Sequence, residues 1–197
     1  MIDRRNAVIG LATACLATPA LTAQAPFKPL FDGKSFDGWA RVGEANWTIS
    51  EGVLSADKGA ASGAAGFLVS KDSYRNFDLR AELWVSADAN SGIFIRCTNR
   101  TEITAVNAYE VNIFDTRPDP AYGTGAIVNV AKVSPMPKAG GRWSVMEIAA
   151  RGDTFTVVFN GQKTVDAARD AANAEGPIAL QYGSGVVKFR KVEIRGV

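Results

Sequence analysis

The chain has 197 residues, 22 basic and 20 acidic side chains for a formal net charge of +2, and no histidine. That length suits one domain plus a short extra segment, and the scattered, nearly balanced charge offers no basic stripe to nucleic acid. The missing histidine removes the commonest general base near neutral pH and the commonest transition-metal ligand, which excludes zinc-hydrolase and Ser-His-Asp chemistry.

Residues 1–25 read as an export signal. Arg4-Arg5 precedes an apolar stretch from Ala7 through Leu16, and small residues end at Ala23-Gln24-Ala25. The segment is too short and interrupted to span a membrane permanently. Asp3-Arg4-Arg5-Asn6-Ala7-Val8 resembles a twin-arginine signal, with an ordinary secretory route as the alternative, so the expected location is periplasmic or secreted. Residues 26–197 then form the mature domain. Of the two cysteines, Cys15 lies in the leader and Cys97 in a strand, so no disulfide is expected and Cys97 reads as a small buried thiol on the face of Ile93 and Ile95.

From Pro26 onward short alternating runs are separated by Gly, Asn, Asp and Pro. Trp47–Ser50 and Val53–Ala56 flank Glu51-Gly52, a hairpin signal. Phe77 to Ser86 is the clearest half-buried strand, with Leu79, Ala81, Leu83 and Val85 alternating against Arg80, Glu82 and Trp84. Asn90–Cys97 and Tyr109–Asp115 follow. Thr116–Gly125 is a Pro/Gly loop, and Ala126–Val133 a strand or covering segment. Further strands surround Gly152 and Asn160-Gly161, and Val165–Ala174 is the one short helix expected. Two strands close the chain, Ile178–Tyr182 and Val186–Arg195. More than ten short strands with almost no helix predict an all-β, two-sheet antiparallel jelly-roll sandwich.

Period-2 counting places Ile93, Ile95, Val111 and Ile113 in the core and Phe94, Arg96, Glu110 and Asn112 on the opposite face. Antiparallel pairing would bring Arg96 and Glu110 together there, with Glu82, Trp84 and Gln181 on the same grooved surface. A solvated cross-strand ion pair is the plain alternative. No dense carboxylate run marks a metal site, and no cofactor is expected.

Four blocks in order, Leu30-Phe31-Asp32-Gly33-Lys34-Ser35-Phe36-Asp37-Gly38-Trp39, Asn90-Ser91-Gly92-Ile93-Phe94-Ile95-Arg96, Tyr109-Glu110-Val111-Asn112-Ile113-Phe114-Asp115 and Gly176-Pro177-Ile178-Ala179-Leu180-Gln181, resemble the 3-keto-disaccharide hydrolase domain family, also called 3-keto-glucoside lyase/hydratase. The resemblance runs from about Pro29 to Ile194. It implies a concanavalin A-like lectin/glucanase-type jelly roll, usually exported, acting on sugars oxidised to a ketone at C3. Asn112 stands where the family block has Gln, and Tyr182 where many members have His after Leu-Gln. On this reading Glu110 or Asp115 is the base that removes the C2 proton and Arg96 the electrostatic stabiliser. Asn112, Gln181, Glu82 and Trp84 then bind the sugar. The alternative is a non-catalytic carbohydrate-binding module that presents Trp84, Tyr109 or Trp39 for stacking.

Overall fold

A computed structural model describes residues 24–197, so the leader expected over 1–25 falls outside it apart from Gln24 and Ala25. The described strands are β1 (Lys28–Pro29), β2 (Trp39–Val42), β3 (Thr48–Ser50), β4 (Val53–Ala56), β5 (Gly66–Ser70), β6 (Phe77–Val85) and β7 (Ser91–Ile95), followed by β8 (Tyr109–Ile113), β9 (Trp143–Arg151), β10 (Thr154–Phe159), β11 (Gln162–Arg169), β12 (Ala179–Tyr182) and β13 (Val187–Gly196). One 3-10 turn covers Pro120–Tyr122.

The strands form the expected two antiparallel sheets. The larger runs β11-β10-β9-β6-β13-β4-β3, with β1 also paired to β13, and the smaller runs β2-β5-β12-β7-β8. Turn chemistry sets the hairpins. Glu51 and Gly52 adopt φ of 52° and 77°, and Asn160 and Gly161 φ of 50° and 80°, the two-residue turns with positive φ whose twist matches the flanking strands. In β6 the odd-numbered residues Phe77 through Val85 are buried while the even-numbered ones are half-buried. These side chains meet Leu68, Ile93, Ile95, Val111, Ile113 and Leu180 of the smaller sheet in the inter-sheet core. Each such side chain contributes roughly 1.5–3 kcal/mol on burial.

The smaller sheet is covered on its outer side too. Phe67, Val69, Phe94 and Ala179 carry a second apolar cluster completed by Cys97, Ile103 and Ala108 from the β7–β8 connection. Double coverage explains why β5, β7, β8 and β12 are buried at every position. The outer edge of β8 is also closed. Asn112 N donates to Ala126 O at 3.0 Å, Gly125 N to Asn112 O at 2.9 Å and Val128 N to Glu110 O at 3.0 Å, so Ala126–Val128 is a covering segment hydrogen-bonded along that edge.

The helix expected over Val165–Ala174 does not form: Val165–Arg169 belong to β11 and residues 170–174 are irregular. The reversal at Asn160-Gly161 commits the next residues to pairing with β10, and β-branched Thr164 and Val165 bury their side chains there. A left-handed Ala167, with φ of 51°, absorbs the irregular register. Tertiary packing overrides the helix propensity of an Ala-rich stretch that lacks an apolar stripe.

Candidate functional site

Register builds the site. Across β7 and β8, Gly92 pairs with Asn112 and Phe94 with Glu110. Across β12 and β7, Ala179 pairs with Phe94 and Leu180 with Ile93, so Gln181 comes beside Gly92. One row on the outer face therefore reads Gln181, Gly92, Asn112, and the adjoining row Ala179, Phe94, Glu110. Gly92 leaves a notch in this surface. A Cβ there would lie 3.3 Å from Glu110 Cγ and 3.4 Å from Gln181 Oε1, so both side chains reach over the glycine.

Glu110 is 9% exposed. Burial pushes its carboxyl up to about 7, opposed only by the positive charge of Arg117. Gln181 Oε1 and Asn112 Oδ1 are buried without a hydrogen-bond partner. The Asn112 amide is fixed because its Nδ2 donates to Tyr122 O at 2.7 Å. An unpaired buried acceptor costs about 1–3 kcal/mol, which is tolerated where a ligand supplies the donor. Three side-chain acceptors thus converge over Gly92, next to the covered apolar cluster of Phe94, Ala179 and Phe67. Such a set of acceptors suits the hydroxyl donors of a polar ligand.

The structure brings Glu110, Asn112 and Gln181 together and places the other expected residues elsewhere. Arg96 does not share the face of Glu110. It takes φ of 54°, which breaks the alternation after Ile95 and turns the guanidinium inward. There Nε donates to Arg75 O at 3.0 Å, Nη1 to Gly152 O at 2.7 Å and to Asn173 O at 3.2 Å, and the group lies 5.0 Å from the Phe155 ring. The same left-handed residue moves Cys97 off the face of Ile93 and Ile95 and into the outer cluster, where burial pushes the thiol up to about 12.

Asp115 is a loop clamp. Its Oδ1 accepts from Thr124 Oγ1 at 2.6 Å and its Oδ2 from Ala139 N and Gly140 N at 2.9 Å each. Glu82 and Trp84 lie on β6, in the other sheet. Glu82 is bridged to Arg190 at 2.6 Å and Lys191 at 2.9 Å, and Trp84 carries Lys188 over its ring. Trp39 and Tyr109 are buried in the core and offer no stacking face. Tyr182 follows Gln181 by one residue and so points to the core, as would any side chain at that position.

Gly92 and Arg117 join the site without having been singled out in the sequence. A glycine inside a strand pattern is the signal for the first; an arginine in a Pro-rich loop carries none for the second. Among the described residues no group of three or more His, Cys, Asp or Glu side chains could hold a metal ion. No helix among them is long and apolar enough to cross a membrane.

Comparison with known proteins agrees with this architecture. A curated 3-keto-disaccharide hydrolase of Bacteroides thetaiotaomicron is 38% identical over 73 residues, 33% of this chain and 25% of its own length, so the match spans about a quarter of that relative. A candidate glycosyl hydrolase of Parabacteroides distasonis superposes with a TM-score of 0.70 at 25% identity, covering 88% of this chain and 100% of that one. A carbohydrate-binding module of Bacillus subtilis gives 0.62 at 16% identity over 81% of this chain and 96% of the module, a likeness of fold alone. The model of the 3-keto-alpha-glucoside-1,2-lyase-like domain matches residues 26–195, nearly all that the structure describes, and the chain belongs to that family.

Proposed function

We propose that this domain cleaves 3-keto-glycosides, with Glu110 as the base that takes the C2 proton. The carrying observation is a nearly buried carboxyl, held near pH 7 by burial, beside two unpartnered amide oxygens over a glycine notch. A C3 ketone acidifies the C2–H bond, and a base is most effective when its pKa lies near the working pH. Glu110 takes that proton, and the C–H electrons pass into an enolate. Their return restores the C3 carbonyl, forms the C1=C2 double bond and breaks the C1–O bond; the departing oxygen takes a proton from water, and Glu110 returns its own to solvent. Water then adds OH to C1 and H to C2, which completes net hydrolysis without an oxocarbenium-like step. Gln181 and Asn112 accept hydrogen bonds from the sugar hydroxyls and hold C2 against Glu110.

A non-catalytic sugar-binding module has no use for a carboxyl poised near neutrality, so this group favours the enzyme reading. The test is incubation with p-nitrophenyl 3-keto-α-glucoside and with its unoxidised counterpart. Release of nitrophenol from the keto sugar alone, lost in Glu110→Gln, supports the reading. Binding of both sugars with no release from either supports the module.

A further inference from the structure

Proton abstraction leaves negative charge on the substrate oxygen at C3, and a site that promotes it places a cation or preorganised hydrogen-bond donors there. Arg96 cannot supply the cation, since its guanidinium is spent on backbone carbonyls inside the sandwich. Arg100 donates to Ser70 O and Ser73 Oγ, and Arg41 to Trp47 O while lying over the Phe36 ring. Arg117 is different. It is half-buried, and none of the ion pairs found among the described residues uses it.

Its loop is held at both ends close to the polar row. Two residues before it, Asp115 is clamped to Thr124, Ala139 and Gly140. Five residues after it, Tyr122 O accepts the 2.7 Å bond from Asn112, itself a member of the row. Pro118 restricts Arg117 to extended backbone, and Asp119 fixes the 3-10 turn through Ala121 N at 3.1 Å. A short arch anchored at the end of β8, and joined to the row through the bond from Asn112 to Tyr122 O, thus carries an arginine that none of those ion pairs occupies.

We propose that Arg117 is the cationic residue of this site, facing Glu110 and pairing with the oxygen that becomes anionic when Glu110 takes the substrate's proton. The inference rests on the proton-abstraction reading above. Before the step the negative charge sits on Glu110, and afterwards on the enolate oxygen, so one cation between them attracts the charge at both positions. Arg117 is also the charge that opposes the burial of Glu110. Asp115 is then a positioning residue, acting through the loop it clamps.

The test is Arg117→Gln and Arg117→Lys, read by NMR titration of the Glu110 carboxyl in 13C-glutamate-labelled protein, with Glu110→Gln identifying the resonance, and by steady-state kinetics on the 3-keto glycoside. Arg117→Gln is expected to move the Glu110 midpoint upward from about 7 and to lower kcat at least about tenfold with little change in KM, while Arg117→Lys recovers part of both. A midpoint or a kcat unchanged in Arg117→Gln overturns the proposal, and does so without touching the Glu110 reading when Glu110→Gln is inactive. A wild-type protein that turns over no 3-keto sugar removes the reaction and this role with it, and the titration then reports separately whether the two side chains meet.

Discussion

Glu110 is a residue that the fold holds against its own preference. Its carboxyl titrates near 7 in the folded chain against an ordinary value of 4.5. The folded state therefore binds its proton more tightly than the unfolded chain. No cost exists below the unfolded value, the cost grows between the two, and it is complete above the folded one. At 1.36 kcal/mol per unit the full penalty is about 3 kcal/mol. Glu110→Gln should accordingly raise unfolding free energy by up to that amount at pH 8 and by almost nothing at pH 4, measured by urea melts. An equal effect at both values would mean that the carboxyl is not desolvated. The same titration predicts that kcat/KM of the wild type rises with pH through a midpoint near 7, the unprotonated carboxylate being the base.

Arg96 acts at the scale of the element. Its left-handed backbone ends the alternation of β7, and its guanidinium ties the loop at Arg75, the turn at Gly152 and the segment at Asn173 to one end of the sandwich. Arg96→Ala should cost roughly 3–5 kcal/mol in a chemical melt, because three carbonyls lose a charged donor at once. A change below about 1 kcal/mol would contradict that role. Gly92 acts on the site instead. Its backbone is outside the left-handed region, but a Cβ would press on Glu110 Cγ and Val111 O at 3.3 Å each, so Gly92→Ala should displace the Glu110 side chain, raising KM and lowering kcat at a cost of about 1–3 kcal/mol in the melt. These two positions show where the sequence was legible. Alternation put Ile93, Ile95, Val111 and Ile113 in the core and Glu110 with Asn112 on the outer face, because nothing interrupts β8. It failed at Arg96 because one left-handed residue resets the phase of all that follows, and no side-chain pattern announces it. The helix expected at Val165 failed through long-range pairing with β10, which is equally silent in local composition.

At the scale of the molecule the sandwich has two outer faces, and alternation cannot say which one a strand presents. Glu82 and Trp84 were correctly outward-facing yet belong to the larger sheet, where Trp84 lies opposite Trp143 and both rings carry stacked cations. Trp84→Ala and Glu82→Gln should therefore leave kcat/KM on the 3-keto glycoside within about twofold of wild type, the usual result for surface positions far from a site. A large loss would place the sugar on the wrong sheet. The central claim is that Glu110 removes a proton from carbon, and it is tested most directly by solvent exchange at C2. Wild-type protein in deuterated buffer should release the aglycone and leave deuterium at C2 of the freed 3-keto sugar, while Glu110→Gln should do neither and retain its fold. Cleavage with the C2 proton fully retained, or exchange undiminished in Glu110→Gln, would contradict the account.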